Sequence, residues 1–182
     1  IGFFYLESDF LSPTRLFHPR SASLEPDFFS IMEIPFLWKT DPDPDTAMRI
    51  AEEWIDREVP LLIQTDIFYL DYFKSSTHFN GHVVGMWGYD KEKHIAYLSD
   101  TEREGLQEVS YDSLKRARTS QAPPVSLENN YCEISCRAPL RDIRSAVPES
   151  LKSTARAMTA EEGPQDMAPG EIRAKKNLDE RL

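Results

Sequence analysis

Long apolar runs, a secretion signal and an excess of basic charge are all missing from this 182-residue sequence. No run of about 18 uninterrupted apolar residues occurs, so the sequence predicts no membrane-spanning helix. Residues 1–5 lack the basic region and cleavage site of a secretory signal peptide. These absences predict a cytoplasmic protein with no membrane partner.

Basic residues are outnumbered, with 21 Lys and Arg against 31 Asp and Glu and a net charge of -10. A general nucleic-acid binder needs a basic surface to displace counterions, so the charge argues against that function. It is compatible with a basic small-molecule partner such as an amine. The sequence leaves the oligomeric state open.

Cysteine is scarce, with Cys132 and Cys136 the two in the sequence. A Cys-x-x-x-Cys pair without further Cys or His ligands nearby is weak support for zinc. Their even spacing would place both thiols on one face of a strand, where buried structural thiols are the simpler interpretation. Arg137 is the basic neighbour that could lower a thiol pKa there. We expect no cofactor.

A helix is predicted to begin within residues 41–45, whose sequence is DPDPD. Asp43 can cap it, Pro44 suits the first helical position, and Asp45 lies favourably at the positive end of the helix dipole. Apolar residues then recur at helical spacing on one face: Ala47, Ile50, Ala51, Trp54 and Ile55. The pattern predicts a surface helix packed on a sheet and stopped by Pro60.

The central stretch, residues 59–102, predicts a strand, a loop, a strand, a turn and a strand. Further elements are predicted on both sides: a short helix over 25–33, a strand over 105–110, a helix over 111–119 capped by Ser110, extended chain over 131–135, and helical spacing from 139 interrupted at Pro148.

His82 opens one predicted strand and Asp100 closes the next. In an antiparallel pair these positions lie at the same end, so the carboxylate could orient the imidazole as two thirds of a catalytic triad. The alternative is a strand-edge histidine and an ordinary turn aspartate.

A metal site is a second interpretation of the same segment. His78 and His82 are separated by three residues, and Asp66, Asp71 or Asp100 could add an oxygen ligand. That spacing places two ligands together on a helix, but the intervening Asn80-Gly81 argues against a helix.

The aromatic loop over residues 67–73 could line a substrate pocket beside His82. Asp66 and Asp71 would then be partners for a substrate amine, with Tyr72 and His78 in the same substrate-binding set. The alternative is that these aromatic residues belong to the core and its rim.

The run PLLIQTDIFYLDYFKSSTHFNGHVVGMWGYD, then AYLSDTE, then LQEVSYDSLKRAR followed by APP, resembles the family of the N-terminal domain of butirosin biosynthesis protein H. The resemblance is close over residues 41–124 and looser over 1–40. It implies an α+β fold of the papain-like cysteine-peptidase type, related to bacteriocin-processing peptidases, with an antiparallel sheet and packed helices. It also implies transfer of an acyl group from an acyl carrier protein to an amine, with His82 as general base and Asp100 as its orienting acid.

The resemblance places the family's nucleophilic Cys on a helix before the segment equivalent to residues 1–5. The sequence begins with Ile1 rather than Met, so we expect a piece of a longer reading frame from which the nucleophile helix is missing. The predicted domains are a papain-like domain over residues 1–130 and the start of a helical C-terminal domain over 131–182.

Two functions therefore remain open. The first is a piece of a cysteine-dependent acyltransferase or amidohydrolase of secondary metabolism, inactive as given because the thiol is absent. The second is a non-catalytic binding module of the same fold that holds an acyl chain, an amine or a peptide.

Overall fold

The computed structural model describes residues 4–7, 15–18, 24–101, 103–123, 126–135 and 140–159. These residues form strands and helices in the following order: β1 (Phe4–Glu7), β2 (Arg15–His18), α1 (Leu24–Ile31), α2 (Pro44–Ile55), β3 (Leu61–Thr65), β4 (His82–Asp90), β5 (Ile95–Ser99), β6 (Gln107–Ser110), α3 (Tyr111–Arg118), β7 (Tyr131–Glu133) and α4 (Ile143–Thr159). A 3₁₀ turn, Ile67–Tyr69, follows β3.

Five of the strands form one antiparallel sheet in the order β6-β5-β4-β3-β7. β1 and β2 form a separate antiparallel pair. The predicted strand, loop, strand, turn and strand of the central stretch are β3, β4 and β5, and the turn between β4 and β5 is the predicted one at Asp90. The predicted α+β class is confirmed.

One face of the sheet carries the core because apolar residues alternate along each strand. Leu61 and Ile63 of β3, Val84 and Met86 of β4, Ala96 and Leu98 of β5, and Val109 of β6 are all buried there. Helices α2 and α3 contribute Ala51, Leu114 and Ala117 to the same cluster. The helix-covered face of the sheet is therefore the side on which a strand residue is shielded from water.

Helix α2 begins where the sequence predicts. The Asp43 side chain accepts a hydrogen bond from the Thr46 amide at 2.9 Å, and Pro44 is the first helical residue. Ala47 and Ala51 are buried, as the apolar face requires. The predicted helix after β6 is also confirmed: Ser110 caps α3, and Leu114 and Ala117 face the core.

The chain divides into two compact units, Phe36–Arg137 and the combination of Ile1–Pro35 with Ala138–Leu182. The predicted domain boundary between residues 130 and 131 falls just before β7, which pairs with β3 through Leu62 and Cys132. β7 is an edge strand that pairs with a strand about 70 residues earlier in the chain, and no local sequence pattern marks that pairing.

Helix α4 belongs to the other unit and includes Pro148 within it, so the predicted interruption is accommodated in one helix. Its apolar residues Ile143, Val147 and Leu151 are exposed, while Ala146 is buried. Within that unit Arg141, just before α4, donates to the carbonyl of Ile31 at 2.8 Å. None of the helices described is long and apolar enough to cross a bilayer.

Gly85 is closely packed on the face of the sheet opposite the core, and this packing predicts the effect of adding one methyl group there. A Cβ at Gly85 would lie 2.7 Å from Ser99 Oγ and 3.0 Å from Trp87 Nε1, which are hydrogen-bonded to each other at 2.7 Å. We expect Gly85→Ala to lower the free energy of unfolding by about 1–3 kcal/mol, as overpacking does.

Urea unfolding of Gly85→Ala, Ser99→Ala and the double variant would measure this cost. In the Ser99→Ala background the added methyl should cost clearly less, because the closest atom is gone. An equal cost of Gly85→Ala in both backgrounds would show that the contact with Ser99 is not its source.

Candidate functional site

The sheet places His82 and Asp100 side by side. His82 continues the buried alternation of Val84 and Met86, and Asp100 continues that of Ala96 and Leu98, so both project from the same face at the same end. His82 Nε2 lies 2.9 Å from each carboxylate oxygen of Asp100. The His82 side chain is 11% exposed and that of Asp100 is 0% exposed.

The contact determines which ring nitrogen of His82 carries hydrogen. An ionised carboxylate only accepts hydrogen bonds, so Nε2 must be the donor. In the neutral imidazole the unprotonated nitrogen is then Nδ1. This arrangement leaves Nδ1 able to accept a proton from a group placed beside it.

Tyr72 holds the other side of the Asp100 carboxylate. Its hydroxyl donates to Oδ2 at 2.7 Å. Burial, together with this hydrogen bond, raises the pKa of Tyr72, so the phenol stays protonated and remains a donor at neutral pH. Burial acts to raise the pKa of Asp100, but hydrogen bonds from Tyr72 and His82 outweigh it and hold that pKa below its usual value. The carboxylate is therefore ionised beside the imidazole.

A second imidazole and carboxylate meet nearby. His78 Nδ1 lies 2.7 Å from Asp66 Oδ2, and the His78 ring stacks on Phe68 with centroids 4.1 Å apart. The His78 side chain is 39% exposed, whereas Asp66 is 0% exposed. Because Nδ1 donates to the carboxylate, the neutral ring of His78 has its unprotonated nitrogen at Nε2. The two histidines are thus held in opposite tautomers.

Asp66 accepts four hydrogen bonds. The amides of Phe68 and Phe79 donate to Oδ1 at 3.1 and 3.0 Å, and Ser120 Oγ donates to Oδ2 at 2.6 Å, beside the bond from His78. Burial acts to raise the pKa of Asp66, but these hydrogen bonds together lower it. With its oxygens occupied in this way, Asp66 fixes the loop between β3 and β4 and the ring of His78. Direct contact of the Asp66 carboxylate with a substrate amine stays a prediction.

Asp71 contacts neither histidine pair and bonds to two serines instead. Its carboxylate accepts from Ser113 Oγ at 2.8 Å and from Ser110 Oγ at 3.4 Å, and so ties the loop to the first turn of α3. Asp71 is exposed. The structure therefore brings together His82, Asp100 and Tyr72, pairs His78 with Asp66, and ties Asp71 to α3.

Two further residues of the site, Arg103 and Ser120, carry no signal in the sequence. Phe73 lies edge-on to the His82 ring at 5.4 Å, and the guanidinium of Arg103 lies over the rings of Phe73 and Tyr72 at 5.2 and 5.9 Å. Ser120, which donates to Asp66, is 54 positions away from it in the chain. Tertiary packing alone creates these contacts, so the local pattern around Arg103 and Ser120 did not reveal them.

Cys132 is far from His82. It pairs with Leu62 on β3, whereas His82 pairs with Thr65 three residues further along and on the other side of β3. That register separates the two by about 10 Å across the strands and about 10 Å along them, with side chains on opposite faces. Burial raises the pKa of the Cys132 thiol, which disfavours the thiolate. Cys136 lies outside the described residues.

Within the described parts of the chain no group of three or more His, Cys, Asp or Glu side chains is arranged to hold a metal ion. His78 and His82 instead contact different carboxylates, Asp66 and Asp100.

The hydrogen bonds of Asp66 predict a dependence of stability on pH. Because its folded pKa lies below the ordinary value of 3.8, the ionised carboxylate stabilises the fold above that pH, and the contribution is lost as the pH falls through the folded pKa. We expect Asp66→Asn to cost about 1–3 kcal/mol at neutral pH, since one of the two acceptor oxygens is replaced by an amide donor, and to flatten the loss of stability below pH 3.8.

Chemical unfolding at a series of pH values would measure both effects, with Asp112→Asn, at an exposed position, as the matched control. If the free energy of unfolding fell as steeply at low pH in Asp66→Asn as in wild type, this account would be contradicted.

Comparison with known protein families covers the part of the chain that contains the candidate site. Residues 1–101 match the family described as butirosin biosynthesis protein H, N-terminal. This region contains His82, Asp100 and the loop between β3 and β4, and ends before residues 102–124 and before the predicted C-terminal domain. A search of curated proteins found no match. Because the match covers more than half of the chain, the protein belongs to the butirosin biosynthesis protein H N-terminal family.

Proposed function

We propose that this chain carries the general base and the orienting acid of a cysteine-dependent acyltransferase of papain-like type. The observation that supports the proposal best is the contact of His82 Nε2 with the buried, ionised carboxylate of Asp100, which leaves Nδ1 as the basic nitrogen. In such enzymes a base must deprotonate the nucleophile, and a third group must fix the tautomer of the base.

In the proposed reaction, His82 Nδ1 removes the proton of a cysteine thiol. The thiolate attacks the carbonyl of an acyl thioester on a carrier protein, and the departing carrier thiol takes the proton from His82. An amine then attacks the acyl-enzyme while His82 accepts a proton from the nitrogen, and the cysteine leaves as thiolate and regains that proton. Asp100 stabilises the imidazolium at each stage, and Tyr72 holds Asp100 in place.

The reaction requires a thiol that no described residue brings to His82, since Cys132 lies on β7 with its side chain on the opposite face of the sheet. We propose that the nucleophile is the cysteine that the family resemblance implies N-terminal to residue 1. Without it, the 182-residue chain is expected to be inactive in acyl transfer, because loss of one triad member typically costs several orders of magnitude in rate.

Substrate recognition is proposed to involve the loop between β3 and β4. The exposed ring of His78, with Nε2 directed away from Asp66, is available to contact an amine-bearing substrate. Tyr72 and Asp66 act through the groups that they hold, Asp100 and His78, and Asp71 supports the loop from α3. The acidic character of the protein, with a net charge of -10, favours a cationic acceptor.

The test uses the longest natural reading frame that contains this chain. If it encodes an upstream cysteine, the protein should form a thioester with an acyl group from a carrier-bound donor, detected by intact mass. His82→Ala should reduce the rate of thioester formation by about 10³-fold or more. Asp100→Asn should also reduce this rate, because His82 would no longer be held in the tautomer with its proton on Nε2.

His94→Ala serves as the matched control, because His94 lies in the turn before β5 and away from Asp100. It should keep wild-type acylation. Equal rates for His82→Ala and wild type would contradict the catalytic role of His82. A natural start codon at residue 1, with no upstream cysteine, would instead support the binding module as the function.

A further inference from the structure

Arg103 lies beside the candidate site and directs its charge onto aromatic rings. It is exposed in the turn after β5, and its guanidinium lies over the ring of Phe73 at 5.2 Å and over that of Tyr72 at 5.9 Å. Among the described residues it makes no ion pair or hydrogen bond. The two aromatic rings are therefore its partners, and a cation over an aromatic face is attracted to it.

Each of these rings also contacts one member of the pair formed by His82 and Asp100. Phe73 lies edge-on to the imidazole of His82, with centroids 5.4 Å apart and ring planes at 75°. The hydroxyl of Tyr72 donates to Asp100 at 2.7 Å. Arg103 is thus one ring away from the imidazole and one ring away from the carboxylate.

Two separate segments of the chain meet at these rings. Arg103 and Asp100 come from the turn after β5, whereas Tyr72 and Phe73 come from the loop between β3 and β4. That turn therefore holds Tyr72 twice, at its hydroxyl and at its ring. Tyr72 and Phe73 are half-buried and lie outside the helices and strands, so the hydrogen bonds of the sheet do not fix their rings. The contact with Arg103 supplies part of that constraint.

The imidazole of His82 needs a neighbour that limits its rotation. Rotation of the ring about its bond to Cβ would withdraw Nε2 from both carboxylate oxygens of Asp100, which lie 2.9 Å away. The ring of Phe73 occupies space beside the imidazole, and the His82 side chain is only 11% exposed. Holding Phe73 in place therefore limits both the rotation of His82 and the access of water to it.

The charge of Arg103 also acts on the hydroxyl of Tyr72. Burial, followed by the hydrogen bond to Asp100, raises the pKa of Tyr72, and the charge of Arg103 acts in the opposite direction. A nearby cation makes a phenol a better hydrogen-bond donor, because it favours the negative end of the O–H bond. The hydrogen bond from Tyr72 to Asp100 is strengthened as a result.

The second histidine of the site has a related arrangement. Arg116 lies over the ring of Tyr69 at 5.4 Å, and Tyr69 is edge-on to His78 with centroids 5.6 Å apart. At both histidines a carboxylate contacts the imidazole and an arginine covers a neighbouring aromatic ring. Because the two arginines reach different histidines, each provides a control for the other.

We propose that Arg103 is a positioning residue for His82. Acting through Phe73 and Tyr72, it holds the imidazole in the orientation in which Nε2 donates to Asp100, and it keeps water away from the ring. The inference rests on the proposed role of His82 as general base. The contacts it depends on are all present in the 182-residue chain, so its test needs no acyl transfer.

The test measures how fast the Nε2–H hydrogen of His82 exchanges with water, by ¹H–¹⁵N NMR of the imidazole rings in the 182-residue chain. We expect Arg103→Gln to raise this rate about threefold to tenfold, since two exposed cation–π contacts are lost. Arg103→Met, which keeps an apolar stem without the charge, should raise it similarly. Arg103→Lys keeps a cation over the rings and should hold the rate within about twofold of wild type.

Arg116→Gln is the matched control, because Arg116 is also exposed and lies over an aromatic ring, but beside His78. It should leave the exchange rate at His82 unchanged, and Arg103→Gln should leave His78 unchanged. Each arginine variant should unfold within about 2 °C of wild type, as an ordinary surface substitution does. In a Phe73→Leu background, Arg103→Gln should have a clearly smaller effect on His82, because the ring between them is gone.

Three results would overturn the proposal: an unchanged rate at His82 in Arg103→Gln, an equal effect of that substitution at His78, or its full effect in the Phe73→Leu background. A wild-type Nε2–H that exchanges too fast to detect would do so as well, because a held ring protects that hydrogen. An unchanged rate in Arg103→Gln would leave the proposed function in place. That function is contradicted instead by a wild-type His82 with its hydrogen on Nδ1.

Discussion

The fixed register of the antiparallel sheet is the constraint on which the rest of the site depends. Leu98 lies opposite Met86 and Thr65 opposite His82, so the alternation that buries these core residues also directs His82 and Asp100 to the same face. A slip of one residue in β4 or β5 would move one member of the pair to the other side of the sheet and expose its apolar neighbours. The burial that stabilises the sheet therefore also holds the imidazole against the carboxylate.

Each buried carboxylate of the site is satisfied by several donors, and each holds a histidine by a different nitrogen. Asp100 takes the hydroxyl of Tyr72 and Nε2 of His82, and Asp66 takes Nδ1 of His78 with a serine and two amides. The net result is a lowered carboxylate pKa in both places despite burial. Ionised carboxylates that accept several hydrogen bonds keep each imidazole in a single tautomer. A general base needs this fixed tautomer, and free rotation of the ring would remove it.

Much of the sheet unit was predictable because its signals are local. Asp43 and Pro44 mark the start of α2, Ser110 marks the start of α3, and His82 and Asp100 stand at strand ends that the apolar alternation defines. The pairing of His78 with Asp66, the donation from Ser120 and the burial of Arg118 were not predictable, because each joins residues through packing rather than through a repeated pattern. The sequence also did not indicate that β7 belongs to the sheet, or that the carboxylate of Asp71 contacts the serines of α3.

The most direct test of the central claim is the protonation of the histidine nitrogens in the folded 182-residue chain, read by long-range ¹H–¹⁵N NMR of the imidazole rings at a pH where they are neutral. The account predicts that His82 carries its hydrogen on Nε2 and His78 on Nδ1, and that Asp100→Asn alters the state of His82 but not that of His78. A His82 ring with its hydrogen on Nδ1, or one that exchanges freely between tautomers, would contradict the claim that Asp100 prepares Nδ1 of His82 as the base.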